Sequence, residues 1–491
     1  MAAFNLGVLH HASDASAAHE DARTIFETRF GITREIMQKI LLAALSKGGD
    51  FAEIFFEYRI FNSVRFEEEL LKDSTQSITL GVGIRTLHGD QTGFGYTSVL
   101  DFDSMKQAAL TAAAIANRPG KQIVAAFQPP GSHALLYSVE HAISDMLLKE
   151  KIDWVTRAYQ SAQSYDSRIE KIQATLGDEI QHVLVANSEG LMQADSRPQA
   201  RLMVAANAHE GDLRTSGYAN DGGRISKDFY LDTRTPESIG TEAAREAITL
   251  LSAENAPAGE FPVVLGCKQS GVMIHEAVGH PLEADGNRRK TSIMWDKMNQ
   301  PAANPLVTIY DDPNLPGLRG SYQIDDEGTV PRNAMLIENG VLTGHLNDLL
   351  NARMMNAEPN GHGRRQSYQD YPIPRMANTI LKQGDSSPEE IIESVRYGFY
   401  ADSFEGGMVQ NSGKFTFSVN LGYLIENGKL TKPLKNATLI GTNVQILKDI
   451  DMIGNDMGFF LGTCGKSGQR VPVTAGTPTF RIRQMTIGGR S

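Results

Sequence analysis

Hydrophobic and polar positions follow two different periods along the first half of the chain. Apolar residues that recur at helical spacing predict helices, whereas alternating runs rich in β-branched and aromatic residues predict strands. Four helices are predicted, at Ile32–Ser46, Asp103–Ala116, Glu150–Ala162 and from a Thr235-Pro236 start to about Leu251. Strands are predicted at Ala52–Arg59, Ser77–Leu87, Thr92–Tyr96, Ile169–Leu176, His182–Asn187, Leu191–Ala194 and Arg201–Ala208.

The pattern changes after the turn-rich segment Asn255–Gly259. From there to the end, helix signals are sparse and turn signals are dense, which is typical of a mostly β domain. Two hairpins stand out, Leu336–Thr343 and Leu424–Thr431, because each places Asn-Gly, the pair favoured in type I′ turns, between apolar strands. Duplication would explain them, but we expect two equivalent turns in one sheet, without a catalytic role.

These patterns predict an α+β protein. Its N-terminal portion is α+β, and a large, mostly β C-terminal domain follows that carries one distorted helix. Residues 120–135, which contain Pro129-Pro130-Gly131, are predicted to be a linker. The predicted units are a polar leader at 1–30, an N-terminal α+β unit at 31–120, a second α+β unit at 136–252 and the β-rich domain at 256–491.

Composition narrows the classes of function. The chain has 491 residues and a formal net charge of −11, and this acidic balance argues against a nucleic-acid footprint. Two cysteines exclude a disulfide framework and fit a reducing compartment. The first residues lack a basic stretch followed by an apolar one, and the longest apolar runs fall far short of the roughly 18 residues of a membrane span. We therefore expect a cytoplasmic protein that contacts neither nucleic acid nor membrane.

The segment from His275 to His280 carries the clearest chemistry. Two imidazoles can hold Zn²⁺, and the carboxylate of Glu276 between them can take a proton from water at the metal. The usual helical signature separates its histidines by four residues. Here the separation is five, which turns the second imidazole roughly 140° from the first on a straight α-helix. The distorted metal-binding helix must therefore contain an i→i+5 bulge or end at Gly279, and Pro281 disfavours its continuation.

A catalytic site of this kind needs a third protein ligand. Cys464 lies in the glycine-rich segment Gly462–Gln469, which offers little core in which to bury a thiol. Lys466 nearby would favour the thiolate, the form that binds a metal. Cys267 ends an apolar run and is interpreted as a core residue, although it stays an alternative ligand. The remaining candidate ligands are Glu283 and Asp285.

Two further polar clusters lie between these segments. The first begins at Gly361–Arg365, and its donors could hold a substrate backbone or stabilise an oxyanion, with a solvated loop as the alternative. The candidate substrate contacts in it are His362, Arg364, Tyr368 and Arg375. The second cluster, Asp325–Gly328, lacks the alternating ligand spacing of a calcium loop, so we interpret it as an acidic turn.

His275–His280 taken together with Cys464 resembles the TldD/PmbA family of metallopeptidases, more closely its TldD members. The resemblance covers roughly residues 35–490. Further matching segments are Gly81–Arg85, Gly93–Gly95, Ala256–Gly259, Pro262–Leu265, Asp325–Gly328, the residues Cys464, Gly465, Lys466, Gly468 and Gln469, and Val471–Val473. The resemblance implies that His275, His280 and Cys464 bind one catalytic divalent metal, expected to be Zn²⁺.

The resemblance also carries expectations about architecture and assembly. It implies an α+β N-terminal portion over a β-rich C-terminal domain, which agrees with the pattern of elements. It further implies a dimer around an internal chamber, formed with a second copy or with a TldE/PmbA-like paralogue, that cleaves unfolded peptides. Because all metal-site positions are filled here, it implies the metal-binding subunit of such a dimer.

Our first hypothesis is a cytoplasmic metalloprotease of the His-Glu-x-x-x-His plus Cys type, with Glu276 as its catalytic residue, that hydrolyses unfolded or extended peptides. The alternative is a peptide-binding or peptide-maturation partner subunit with a structural or vestigial metal site. A third hypothesis is a non-proteolytic metallohydrolase that acts on a modified peptide or a small amide. Glu276 separates the first two, because a structural site does not need a non-ligand carboxylate beside its histidine.

Overall fold

The computed structural model describes residues 21–116, 123–129, 135–138, 140–410 and 413–489. Residues 1–20 of the predicted leader and part of the predicted linker lie outside these ranges. The end of the predicted leader forms a helix at Ala22–Phe30, in which Ile25 and Phe26 are fully buried. This part of the leader therefore belongs to the folded core.

The secondary structure confirms an α+β protein with a β-rich C-terminal portion. The helices are α1 (Ala22–Phe30), α2 (Arg34–Ala44), α3 (Phe102–Ala113), α4 (Leu148–Gln163), α5 (Pro236–Leu251), α6 (Gly271–Ile274), α7 (Ala284–Arg288), α8 (Leu349–Met355), α9 (Pro388–Glu393) and α10 (Asn443–Asp449). The strands are β1 (Phe51–Glu67), β2 (Leu70–His88), β3 (Gln91–Thr97), β4 (Ile169–Asn187), β5 (Met192–Glu210), β6 (Leu213–Gly223), β7 (Glu254–Asn255), β8 (Gly259–Leu265), β9 (Ile309–Asp311), β10 (Ala334–Glu338), β11 (Val341–Leu342), β12 (Gly363–Arg364), β13 (Ile373–Pro374), β14 (Asn378–Leu381), β15 (Tyr397–Val409), β16 (Lys414–Glu426), β17 (Lys429–Lys435), β18 (Ala437–Thr442), β19 (Ile450–Ile453), β20 (Gly458–Lys466), β21 (Gln469–Thr477) and β22 (Phe480–Gly488). Across the described ranges, every helix is too short or too polar to cross a membrane.

One six-stranded antiparallel sheet contains strands from both predicted N-terminal units, in the order β3-β2-β1-β4-β5-β6. The two units join where β1 pairs with β4 along nearly its whole length. The sequence pattern predicts two strands where β4 runs unbroken, because polar residues around Asp178 interrupt the apolar alternation. The buried carboxylate of Asp178 accepts from Lys151 Nζ at 2.7 Å and from Asn62 Nδ2 at 2.8 Å, so the charge is compensated inside the sheet.

Alternate residues of this sheet face two different layers. Ile54 and Phe56 of β1 pack with the helices of the N-terminal portion. Phe55, which points to the opposite face, packs with Ile324 and Tyr368 of the C-terminal domain. The sheet is therefore the middle layer between the helices and the C-terminal domain.

The C-terminal domain is built mainly on two sheets. One has the order β11-β10-β9-β14-β21-β20, and in the other β15 pairs with both β8 and β16, which closes five strands into a ring. Both predicted Asn-Gly turns are present, since Asn339, Gly340, Asn427 and Gly428 all have positive φ, as a type I′ turn requires. The first turn joins β10 to β11 and the second joins β16 to β17, so the expectation that they share one sheet is wrong. A hairpin pattern in the sequence predicts that two neighbouring strands pair, but it does not predict the sheet to which they belong.

Buried ion pairs join the N-terminal sheet to the C-terminal domain. Asp325–Gly328 is a turn, as predicted, but its three carboxylates are buried. Arg85 Nη2 on β2 lies 2.6 Å from Glu327, and Arg197 Nη1 on β5 lies 2.6 Å from Asp326. Glu327 and Asp326 therefore each have the partner that a buried charge requires.

A second contact with the sheet is made by residues 361–376, which we call the bridging loop. Arg365 Nη2 lies 2.6 Å from Glu53 Oε1 on β1, and both side chains are fully buried. The backbone N–H of Tyr368 donates to Glu57 Oε2 at 2.9 Å. The N-terminal sheet therefore sets the position of this loop.

Removing the shared cation at this interface should destabilise the fold. Arg85 also lies 2.7 Å from Glu53, so Arg85→Met leaves two buried carboxylates with one cation fewer. We predict a loss of about 3–5 kcal/mol in the free energy of unfolding, measured by denaturant titration. The control Arg65→Met removes an exposed pair with Asp73 and should cost less than about 1 kcal/mol. Equal losses in the two variants would contradict the prediction.

A buried histidine gives the fold a defined sensitivity to acid. The ring of His182 on β4 stacks on Tyr58, with 5.9 Å between the centroids, and its Nδ1 lies 2.8 Å from Ser196 Oγ. Burial, with a smaller contribution from the charge of Arg29, lowers the pKa of His182 to about 4. The folded protein therefore resists protonation at a position where the unfolded chain accepts it.

The consequence is a loss of stability within one pH window. Because the folded pKa of His182 lies below 6.5, the unfolded chain binds this proton first as the pH falls. The stability linked to neutral His182 is complete above pH 6.5 and is lost between pH 6.5 and 4, by about 3 kcal/mol. We predict that His182→Gln flattens the pH dependence of the unfolding free energy in this window, whereas the exposed control His88→Gln does not. Parallel curves for His182→Gln and the wild type would show the idea to be wrong.

Candidate metal centre

The two histidines are brought together by a π-helical turn. After α6, residues His275–Gly279 form this turn, and its closing hydrogen bond runs from the His280 N–H to the His275 carbonyl. It is the i→i+5 bulge that the sequence spacing allowed. The wider turn compensates for the five-residue spacing, and the two imidazole centroids lie 5.2 Å apart. A 3₁₀ turn at His280–Leu282 then ends the helix at Pro281.

Cys464 completes a group of three donor residues. It lies on β20, an edge strand of its sheet. The donor atoms of His275, His280 and Cys464 all lie within 4.8 Å of one another, and Cys464 Sγ is 3.3 Å from His280 Nε2. His275 and Cys464 are buried, whereas the side chain of His280 keeps 24% of its surface exposed. Two imidazoles and one thiolate are a donor set that suits Zn²⁺.

The surroundings of Cys464 lower the pKa of its thiol. Burial raises the pKa of this thiol, but the charges and hydrogen bonds of His275 and His280 outweigh burial and lower the pKa to about 4. Burial likewise opposes a charge on His280, yet the carboxylate of Glu283 and the sulfur of Cys464 raise its pKa well above the ordinary value. The sulfur is therefore held in the thiolate form, which is the form that binds a metal.

Glu283 orients the ring of His280 through Nδ1, the ring nitrogen that does not face Cys464. Its Oε2 lies 3.1 Å from His280 Nδ1 and 3.1 Å from Lys466 Nζ. With Nδ1 engaged in this way, Nε2 is left to face Cys464, as is usual for a histidine that binds a metal. Burial opposes the charge of Glu283, but Lys466 and His280 lower its pKa to about 2. Lys466 thus pairs with Glu283, although its nearness in sequence to Cys464 predicted an effect on the thiol.

The bridging loop supports both halves of the donor group. Arg375 is fully buried, and its Nη2 donates to the backbone carbonyl of Cys464 at 2.6 Å. Met376 packs against Gly279 so closely that a Cβ at Gly279 would lie 1.8 Å from the Met376 sulfur. The φ of Gly279 is −56°, an ordinary helical value, so glycine is needed here for the close approach.

The donor group opens onto a cleft of about 570 Å³. Glu276 lines this cleft beside His275 and His280, and it is not part of the donor group. A carboxylate in this position is available to exchange protons with water or a ligand in the cleft. Clefts of this volume commonly hold small ligands or short segments of a larger one.

The structure does not bring the predicted substrate contacts into this cleft. The four side chains concerned are His362, Arg364, Tyr368 and Arg375. His362 is buried with its Nε2 3.1 Å from Asp311 Oδ1, and Arg364 Nη1 donates to the Met376 carbonyl at 2.5 Å. Tyr368 packs into the small core that joins the N-terminal sheet to the C-terminal domain. Their partners are protein groups, so these residues fix the bridging loop.

The alternative ligands considered from the sequence lie outside the donor group. Burial, together with a hydrogen bond to Asp456, raises the pKa of Cys267 to about 12, which keeps it a thiol. Glu283 and Asp285 both pair with Lys466. Sequence reasoning missed the role of Glu283 behind His280, and the signal that could have found it was the three-residue spacing between them.

Three domain models of one protein family together match most of the chain. The PmbA/TldA metallopeptidase domain 1 matches residues 52–116, the central domain matches 142–251 and the C-terminal domain matches 258–489. A Metalloprotease TldD homolog from Haemophilus influenzae is 37% identical over 448 residues, which cover 90% of this chain and 93% of the relative. A Zinc metalloprotease TldD homolog from Saccharolobus solfataricus is 27% identical over 454 residues, which cover 92% and 100%.

Solved structures share the fold. A candidate modulator of a DNA gyrase from Thermotoga maritima is 25% identical and superposes with a TM-score of 0.77 over 93% of this chain and 100% of that protein. TldE from Thermococcus kodakarensis, at 19% identity, superposes with a TM-score of 0.72 over 92% and 100%, which is a likeness of fold alone. With the three domain matches and the relatives named metalloproteases, these findings show that the chain belongs to the PmbA/TldD family of metallopeptidases.

Proposed function

We propose that the protein is a metal-dependent peptidase that hydrolyses unfolded or extended peptides. The observation that carries this proposal is the donor group of His275, His280 and Cys464 at the wall of the cleft that Glu276 also lines. A structural metal site does not need a non-ligand carboxylate at its side, whereas hydrolysis of a peptide needs a group that accepts and returns a proton.

The residues present fit a zinc-like divalent ion. The Nδ1 atom of His275 is buried and has no hydrogen-bond partner among the described residues, which is costly unless a ligand engages it. His280 and the thiolate of Cys464 supply the other two donors. Three protein ligands are the number typical of catalytic zinc sites. When bound, the ion would supply Lewis-acid polarisation of a peptide carbonyl and would make water a better nucleophile.

The remaining chemistry falls to the side chains of this chain. Glu276 would accept the proton of the attacking water and return it to the amine of the departing peptide. Glu283 keeps His280 in the orientation that a metal ligand needs. Arg375 acts as a positioning residue, because it holds the backbone carbonyl of Cys464 on β20.

We further propose a cytoplasmic dimer, formed with a second copy or with a TldE/PmbA-like paralogue, in which an enclosed chamber admits only unfolded chains. The similarity of fold to TldE from Thermococcus kodakarensis is consistent with such a pairing. A chain whose two cysteines are both free thiols is compatible with the reducing compartment that we propose.

Glu276→Gln should separate metal binding from catalysis. We predict that this variant keeps its metal and loses about 10²- to 10⁴-fold in kcat, because the proton acceptor is gone while the donor group is intact. Metal analysis and mass spectrometry of products from an unfolded peptide library would measure both properties. Retained metal with undiminished cleavage would favour the structural or vestigial metal site instead. Products from modified peptides or small amides alone would favour the non-proteolytic hydrolase.

The two cysteines provide a matched pair for testing the third ligand. We predict that Cys464→Ser loses most of its bound metal, since the thiolate donor disappears from the group. Cys267→Ser should keep its metal, because Cys267 lies outside the donor group and remains a thiol. Metal content per chain, measured after dialysis at neutral pH, checks both expectations. Similar metal contents in the two variants would count against Cys464 as a ligand.

A further inference from the structure

Two more cavities continue from the cleft along strand β20. One, of about 450 Å³, shares Gly462 and Thr463 with the cleft. The other, of about 290 Å³, shares Thr463 and Arg201 with the second cavity. Thr463 lines all three cavities and directly precedes Cys464, so each cavity adjoins the residue next to the proposed metal ligand.

The smallest cavity, which we call the arginine cavity, is lined by more cations than anions. Its arginines are Arg59, Arg201, Arg319 and Arg470, and its carboxylates are Asp178 and Glu179. Arg59 lies 3.7 Å from Glu57, and Asp178 lies 2.7 Å from Lys151, so both already have a partner of opposite charge. Among the lining residues, three guanidinium groups therefore face the single carboxylate of Glu179.

Within the described ranges, two of these guanidinium groups bond only neutral acceptors. Arg319 Nε donates to the Gly462 carbonyl at 3.1 Å, and Arg201 Nε donates to Asn220 Oδ1 at 2.9 Å. In the described part of the chain, neither has a carboxylate within the 4.0 Å of an ion pair. Burial, and then the charge of Arg201, lower the pKa of Arg319 to about 10. An anion beside the two groups would relieve their repulsion and supply charge-assisted hydrogen bonds.

We propose that Arg201 and Arg319 bind a carboxylate of the peptide substrate. This inference rests on the proposed peptidase function and adds a substrate preference to it. Strand residues advance about 3.3 Å each, so the Gly462 carbonyl bonded by Arg319 lies roughly 7 Å from Cys464 along β20. A peptide extended along β20 would advance at the same pitch, which would place the carboxylate within about three residues of the cleaved bond. An acidic side chain and a C-terminal carboxylate both supply this group.

The test compares matched unfolded peptides on the metal-loaded protein. One series replaces Gln by Glu at each of the three positions on either side of the cleaved bond. The other compares a free C-terminal carboxylate with a carboxamide. We expect the wild type to prefer at least one carboxylate form by about tenfold in kcat/KM, and Arg319→Met or Arg201→Met to reduce this ratio towards one. Arg319→Lys keeps the charge and should keep most of the preference.

Controls separate this inference from the proposed function. The control Arg483→Met removes a largely exposed arginine on β22 that does not line the arginine cavity. This variant should keep the preference for a carboxylate unchanged. Binding of the same labelled peptides to the Glu276→Gln variant, followed by fluorescence anisotropy, measures the preference without turnover. If no peptide is cleaved, the proposed function fails while binding still tests the subsite. Equal binding and cleavage of carboxylate and neutral peptides, or a preference that survives Arg319→Met, would overturn the inference.

Discussion

Buried charge pairing between the N-terminal sheet and the bridging loop is the interaction on which the candidate metal site depends. Arg365 in this loop is paired with Glu53 on β1, and both are sealed from solvent. The same loop ends at Arg375 and Met376. Arg375 bonds the carbonyl of Cys464, and Met376 packs on the π-helical turn between the two histidines. A contact made some distance from the cleft therefore holds both halves of the donor group in place.

The electrostatics of the site are organised by one buried carboxylate. Glu283 lies against His280 on one side and Lys466 on the other, and Lys466 is two residues beyond Cys464 on β20. Glu283 therefore links the helix that carries the histidines to the strand that carries the thiolate. Because a buried charge is costly to leave without compensation, moving β20 away would deprive Glu283 of its pairing with Lys466. The carboxylate thus favours the arrangement in which all three donor residues converge.

The sequence predicts the local features of this structure better than its long-range packing. The four predicted helices, the Asn-Gly turns and the bulge between His275 and His280 follow from periodicity and backbone chemistry within a few residues. The burial of the bridging loop does not, because Arg365 finds its partner Glu53 across 312 residues of sequence. From sequence alone, a cluster of polar side chains in a loop is therefore interpreted as a substrate contact. Its actual role depends on a sheet whose strands the same sequence places in two separate units.

The five-residue spacing of the histidines also explains why this site cannot be reduced to the ordinary four-residue signature. Deleting Val278 would restore that spacing, but it would turn every later residue about 100° around the helix. His280 and Glu283 both follow the deletion, so they would move together away from Lys466, and Gly279 would leave the close contact with Met376. The π-helical turn is therefore matched to its surroundings. The extra residue is accommodated by the packing of the bridging loop and by a carboxylate three residues beyond the second histidine.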